Sequence, residues 1–239
     1  MDLARVDVTS SITLAHDRYL PVDEAFAALL PDPGLVRGRI VACTGAAATS
    51  LALALASRAT TTGSWLAVVG MAPIGIEAAR ELGVAIDRLV SIDADACRPD
   101  EWADRVATAA DGFELVLTVP PTGPPTGPPT RAERVFRKVR QRVQARGVVL
   151  LIVDSGASHS GAGADMVLEV TAGEWEGLGR GHGHLFRRRV VVRAGGRRVP
   201  RPVERELWLP GIAGRPELIE PATTVATATA GNIELERAG

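Results

Sequence analysis

The chain has 239 residues, of which 46% are hydrophobic and only 4% are aromatic, and its formal net charge is −1. This length suits one sizeable domain with short extensions. The two cysteines, Cys43 and Cys97, lie too far apart in the sequence to suggest a disulfide framework. With neither a signal segment nor an uncharged stretch of about 18 residues, the composition predicts a soluble cytoplasmic protein without a membrane span.

Residues 1–30 predict an N-terminal extension that carries one short helix. The amphipathic stretch 23–30 ends at Pro31-Asp32-Pro33-Gly34, because proline and glycine stop a helix there. The predicted core begins at residue 31.

Aliphatic strands then alternate with helices as far as residue 119. Strands are predicted at 38–43, 65–69, 89–92 and 114–119, and helices at 51–58, 74–82 and 99–110. Alternation at this spacing is typical of βαβ units, and an interior of Ala, Val, Leu and Ile suits buried parallel strands. The sequence therefore predicts an α/β fold with a mostly parallel sheet flanked by helices.

The segment 120–130 repeats proline, threonine and glycine and predicts an exposed loop with polyproline character that acts as a spacer. An amphipathic helix at 131–146 and an apolar strand at 148–153 follow.

The pattern then changes to strands at 164–170, 185–192 and 204–209, with Gly195-Gly196 as a hairpin turn. These strands predict a small antiparallel β region at the C-terminal end of a core that spans 31–210. Residues 211–239, rich in Ala and Thr, predict a flexible tail.

The strand and helix around residues 39–58 stand where a phosphate-binding loop would lie. Gly45 begins such a loop and Thr49-Ser50 could close it, but the second glycine and the lysine of the G-x-x-x-x-G-K-[ST] pattern are missing. The chain's one lysine, Lys138, belongs to another helix, and Pro120 stands where a metal-binding acid would follow the strand 114–119. We therefore expect a degenerate ATPase that binds no cofactor and no metal and is not an enzyme.

Other catalytic or metal-binding patterns are weaker. Asp154, Ser155 and His159 are the residue types of a hydrolase triad, but they lie on one loop, whereas a triad assembles from separate elements. His182 and His184 alone make a poor metal site.

Charge is unevenly distributed, since residues 1–128 carry an excess of acids and residues 129–205 an excess of arginines. Such a basic region favours contact with nucleic acid or with an acidic partner. We predict these contacts at the basic residues of two segments: Arg131, Arg134, Arg137, Lys138, Arg140, Arg187, Arg188 and Arg189. The segments 120–146 and 154–164 hold few aromatic residues that would stack bases, which weakens the case for single-strand binding.

Three segments resemble the RecA core. Gly38-Arg39-Ile40-Val41 with the turn at Gly45 and the helix 51–55 resemble its opening, and residues 78–89 are similar to the segment between its second and third strands. Residues 164–192 resemble the end of that core. Among RecA-like proteins without a working phosphate loop, the chain resembles the actinobacterial ImuA-type (ImuA') accessory proteins of the DNA-damage-inducible mutasome.

This resemblance implies a non-catalytic accessory factor in SOS-induced translesion synthesis. Its partner would be an ImuB-type Y-family-like adaptor and, through it, a DnaE-type error-prone polymerase and the sliding clamp. DNA binding, self-association and association with the nucleoid are further expectations. Two alternatives remain open: a SulA-like cell-division inhibitor of the same fold, and a RecA-like ATP-binding enzyme with an unusual phosphate loop.

Flexible segments with short apolar groups are suited to binding a partner. We predict partner contacts around the C-terminal tail, at Trp208, Leu218, Ile219, Ile233 and Leu235.

Overall fold

A computed structural model describes residues 18–71, 74–93, 98–120, 129–154, 163–179 and 182–219. Its centre is a nine-stranded sheet with helices on both faces. Before the sheet, β1 (Tyr19–Leu20) pairs antiparallel with β2 (Leu35–Val36), and a 3₁₀ turn at Glu24–Phe26 stands where the sequence predicts the helix 23–30.

The sheet strands are β3 (Ile40–Gly45), β4 (Leu66–Val69), β5 (Leu89–Ile92), β6 (Leu115–Thr118), β7 (Val149–Asp154), β8 (Met166–Gly179), β9 (His182–Gly195), β10 (Val203–Trp208) and β11 (Glu217–Leu218). The helices are α1 (Ala48–Thr61), α2 (Ile76–Glu81), α3 (Pro99–Gly112) and α4 (Pro129–Arg146), with a 3₁₀ turn at Ile86–Arg88.

Strands lie in the order β5-β4-β6-β7-β3-β8-β9-β10-β11. The six from β5 to β8 are parallel, and the pairs from β8 to β11 are antiparallel. This confirms the predicted fold class, a mostly parallel sheet flanked by helices with a small antiparallel region at the C-terminal end.

Two apolar layers hold the helices to the sheet. On one face, α1 buries Leu51 and Leu55 against the strands together with the segment 20–35. On the other face, α3 and α4 bury Trp102, Val139 and neighbouring residues. The central strands β6 and β7 are almost fully buried, as parallel strands covered on both faces should be.

The antiparallel region differs from its prediction in extent. β8 and β9 each have 14 residues, because the glycine-rich stretch after Val170 continues as a strand and does not loop. β9 ends at Gly195 and β10 begins at Val203, which pairs with Ala194. Residues 196–202 therefore form the connection, and the predicted tight turn at Gly195-Gly196 is wrong.

Part of the predicted tail is packed against the body. Residues 211–219 return to the body, where β11 pairs with β10 and the Ile219 N–H donates to the Glu206 carbonyl at 3.0 Å. Residues 220–239 lie outside the described residues, as do residues 121–128 of the predicted spacer loop, whose last two residues belong to α4. None of the helices in the described ranges is long and apolar enough to cross a membrane.

Candidate functional site

The turn between β3 and α1 is where a phosphate loop would lie. β3 ends at Gly45 and α1 begins at Ala48, so the strand passes into the helix through Ala46 and Ala47 alone. Gly45 has φ +88°, and a Cβ there would lie 2.2 Å from the Val170 carbonyl oxygen of β8. The glycine at this position therefore permits the close approach of β8, with which Gly45 is in register.

The other predicted loop residues lie in the first turn of α1. Thr49 is exposed and Ser50 is half-buried, while Ala47 and Ala48 before them are buried against the sheet. A phosphate loop needs several residues whose backbone amides converge on the anion. The turn here holds only the exposed Ala46 and the buried Ala47, between Gly45, which is packed against β8, and the helix residues Thr49 and Ser50.

The end of β6, where a metal-binding acid would stand, is filled by an internal hydrogen-bond chain. The Trp102 indole N–H donates to Thr118 Oγ1 at 2.9 Å, and the Thr118 hydroxyl donates to the Val69 carbonyl at 2.9 Å. Thr118 is completely buried, and Pro120 follows two residues later. Within the described residues, no group of three or more His, Cys, Asp or Glu side chains could hold a metal ion.

The one lysine lies far from the turn. Lys138 is exposed on α4, on the sheet face opposite α1, where its ammonium group forms an ion pair with Asp104 of α3. It is therefore not placed to replace the missing loop lysine. Asp154, at the end of β7, lies beside Thr44 of β3, whereas Ser155 and His159 are outside the described residues.

The arginines of α4 divide into two groups. Arg140 pairs with Asp165 at 3.2 Å, and Arg142 and Arg146 both pair with Asp111 of α3, the latter at 2.8 Å. Arg134 and Arg137 are exposed and form no ion pair with any residue that the structure describes. Of the predicted contacts on this helix, these two remain available to a ligand, and the Arg131 side chain lies outside the described part.

Two of the arginines of β9 that are predicted as contact residues form ion pairs with acids on the neighbouring strands. Arg187 pairs with Glu176 of β8 at 2.6 Å, and Arg189 pairs with Glu206 of β10 at 2.5 Å. Arg188 points to the opposite face, where its guanidinium carbon lies 5.6 Å from the centre of the Trp175 ring. The sequence shows no acid between Glu176 and Glu204, but the sheet brings acids beside β9 from both sides.

The predicted tail contacts are only partly described. Trp208 is half-buried beneath Arg187, whose guanidinium carbon lies 3.9 Å from its ring centre, and Leu218 lies in β11 at the sheet edge. Ile219 is half-buried, and Ile233 and Leu235 lie outside the described residues. His182 and His184 are exposed at the far end of the β8–β9 hairpin.

A buried carboxylate that sequence reasoning missed joins three elements. Asp165 accepts hydrogen bonds from the Ile40 backbone N–H at 3.0 Å, from Arg140 at 3.2 Å and from Arg197 at 3.1 Å. Burial opposes its ionisation, but these three donors together hold its pKa below the ordinary value. An acid at the second position of the strand predicted at 164–170 was the available signal.

Comparison with known proteins adds a family and a fold. The model of the MT3502 N-terminal domain family matches residues 28–158, more than half of the chain. The chain belongs to this family. No curated protein sequence matches it.

Among solved structures, a crystal structure of the RadB recombinase is similar with a TM-score of 0.61 and 12% sequence identity. The similarity covers 82% of this chain and 97% of that chain. At this identity the similarity shows the fold alone. This chain therefore has a RecA-like α/β fold.

Proposed function

We propose that the protein is a non-catalytic RecA-like accessory factor in damage-induced translesion synthesis. It binds an ImuB-type adaptor, which in turn brings a DnaE-type error-prone polymerase and the sliding clamp. The observation that carries this proposal is the close approach of Gly45 to Val170. Packing against β8 constrains the backbone at the position where a phosphate loop would begin.

Three features support the loss of ATPase chemistry. The turn after β3 is too short for a phosphate cradle, the end of β6 is closed by the pair Trp102–Thr118, and Lys138 is paired on the opposite sheet face. A RecA-like protein that lacks the parts needed for ATP hydrolysis would act by binding other molecules with its surface. Support for the adaptor as partner comes from the resemblance of the chain, as a RecA-like protein without a working phosphate loop, to the ImuA-type proteins.

Contact with DNA is a subsidiary part of the proposal. Arg134 and Arg137 lie on the exposed side of α4 and form no ion pair with a described side chain, and guanidinium groups pair well with phosphate oxygens. The protein would then be associated with the nucleoid when DNA damage induces it.

The nucleotide half of the proposal is tested by thermal unfolding with millimolar magnesium–ATP. A ligand that binds the native state raises its midpoint by mass action. We expect no shift and no phosphate release. A reproducible shift of several degrees would favour the alternative of an ATP-binding enzyme with an unusual loop.

The partner half is tested by affinity purification of the full chain from its own host after DNA damage, with quantitative mass spectrometry. We expect the adaptor and the DnaE-type polymerase to be enriched. Enrichment of a cell-division protein in their place would favour the SulA-like alternative and overturn the proposal.

A further inference from the structure

The β8–β9 hairpin extends beyond the rest of the sheet. β8 is in register with β3 only from Met166 to Val170, and the register of β9 with β10 ends at Arg189. Past these points, within the described structure, residues 171–179 of β8 have only β9 as a neighbouring strand, and residues 182–187 of β9 have only β8. We call this projecting part the ribbon. A two-stranded hairpin is marginally stable in water, so a ribbon with exposed apolar side chains is suited to a partner.

Alternation along the strands gives the ribbon two different faces. Trp175 is in register with Arg188, and Glu176 with Arg187. The aromatic face, which continues from the buried Val190, carries Gly173, Trp175, Gly177, Phe186 and Arg188. The ionic face carries Glu174, Glu176, Leu185, Arg187 and Arg189.

Glycines shape the aromatic face. A Cβ at Gly177, whose φ is +116°, would lie 2.5 Å from the Phe186 ring, and a Cβ at Gly173 would lie 3.0 Å from Arg188 Nε. The two glycines therefore let the Phe186 ring and the Arg188 side chain lie flat over the neighbouring strand. Trp175 and Phe186 remain 45% and 43% exposed, so both rings offer apolar area to a ligand.

Arg188 is the charged residue of this platform. It lies against the Trp175 ring, its Nε is buried without a hydrogen-bond partner, and it forms no ion pair with any described residue. Arg187 and Arg189, on the ionic face, are by contrast held by glutamates. The aromatic face thus combines two exposed rings with one cation that no described carboxylate neutralises.

We propose that the aromatic face is a docking surface for a protein segment that presents apolar side chains beside a carboxylate. Tryptophan and arginine are the residues on which binding energy concentrates, and a carboxylate pairs with guanidinium by charge-assisted hydrogen bonds. This inference rests on the proposed function in one respect: it assigns the segment to the ImuB-type adaptor.

Charge distinguishes this occupant from two others. A second copy of the chain, docked through the same face, would bring two unneutralised Arg188 side chains together, which is unfavourable. A single-stranded nucleic acid would need a row of free cations, but Arg187 and Arg189 are paired, and Glu174 and Glu176 place negative charge within the same ribbon.

The test measures the affinity of the purified full chain for the purified adaptor by calorimetry. Trp175→Thr and Phe186→Thr keep a residue suited to strands but remove the rings, and Arg188→Gln removes the cation. We expect each to weaken binding about tenfold or more. The matched control is Leu185→Thr, because Leu185 is 44% exposed on the ionic face of the same ribbon. It should change affinity less than about twofold, and circular dichroism verifies that every variant folds.

The outcomes separate the docking surface from the proposed function. If wild type and all variants bind the adaptor equally, the docking surface is wrong and the proposed function stands. If the wild-type chain does not bind the adaptor, the docking surface and the proposed function are both wrong. A concentration-dependent dimer in sedimentation that Trp175→Thr abolishes would replace the adaptor by a second copy. Binding of an oligothymidylate that the same variant abolishes would replace it by nucleic acid.

Discussion

The carboxylate of Asp165 accepts a hydrogen bond from the Ile40 backbone N–H at 3.0 Å, although the two residues lie 125 positions apart in the chain. The Asp165 backbone N–H donates in return to the Ile40 carbonyl at 2.8 Å. Arg140 of α4 and Arg197 after β9 pair with the same carboxylate. One buried side chain thus ties the start of the central strand to a helix and to the antiparallel region.

Replacing this carboxylate should destabilise the protein strongly. Asp165→Asn keeps the size of the side chain but leaves the partly buried Arg140 without its counter-charge, which costs about 3 kcal/mol of unfolding free energy. Urea unfolding followed by circular dichroism measures the difference. Asp104→Asn, which breaks the exposed pair with Lys138, is the control and should change the unfolding free energy by less than about 1 kcal/mol.

The same carboxylate should make stability depend on pH. Burial alone would raise the pKa of Asp165, but the Ile40 N–H and the two arginines outweigh it and lower that pKa. A lowered folded-state pKa gives stability that is present above the unfolded value of about 4 and is lost as pH falls through the folded value. The difference in unfolding free energy between wild type and Asp165→Asn should therefore shrink below about pH 4. A difference that stays constant between pH 7 and pH 3 would contradict this.

Gly45 should be required for folding. In Gly45→Ala the new Cβ meets the Val170 carbonyl oxygen at 2.2 Å in a backbone conformation with φ +88°, so we expect a loss of more than about 2 kcal/mol. Gly63→Ala is the matched control, because Gly63 also has positive φ, +109°, but no atom lies within 4 Å of its Cβ position. It should lose only about 1 kcal/mol, the cost of the backbone conformation. Equal losses would show that the approach of β8 does not constrain Gly45.

The buried hydroxyl of Thr118 should contribute measurably to the free energy of unfolding. Thr118→Val keeps the shape of the side chain but leaves the Trp102 indole N–H without its acceptor, which costs about 1–3 kcal/mol of unfolding free energy. Thr108→Val on the same helix as Trp102 is the control, since the exposed Thr108 hydroxyl donates to the Asp104 carbonyl of its own helix. That variant should stay within about 0.5 kcal/mol of wild type.

DNA binding, if α4 provides it, should depend on Arg134 and Arg137, which form no ion pair with a described side chain. In Arg134→Glu/Arg137→Glu, the affinity for duplex DNA should fall, and so should its dependence on salt concentration, because fewer counterions are released. Fluorescence anisotropy over a salt series measures both. Arg142→Glu/Arg146→Glu reverses two arginines that both pair with Asp111 and should have a smaller effect. Equal effects would place the DNA contact elsewhere on the basic region.

The parallel part of the fold could be predicted well because its signal is local. Each central strand is an aliphatic run, and β5 begins and ends at the residues that its pattern predicts. β8 was harder, because glycines at 173, 177 and 179 predict a loop. Their alternation with Glu174, Trp175 and Glu176 fits a strand only once β9 is known to pair beside it.

The candidate sites depended on pairings between distant segments. The sequence shows that Arg142 and Arg146 are basic, but Asp111, which pairs with both, lies more than 30 positions earlier in α3. Gly45 was found as the start of a degenerate loop, yet its physical role is decided by Val170 on another strand. Charge runs and single glycines indicate residues worth testing, whereas their partners appear only in the folded chain.

The position of β3 has a consequence for biosynthesis. This strand lies between β7 and β8, and its pairing with β8 uses residues 166–170. While the chain emerges from the ribosome, the edge of β3 from Val41 to Gly45 stays open until those residues are made, and open apolar edges invite pairing with other chains. The family's matched segment ends at residue 158, before β8 begins. We therefore expect that segment, expressed alone, to aggregate through β3, and the hairpin that follows to act as its built-in cover.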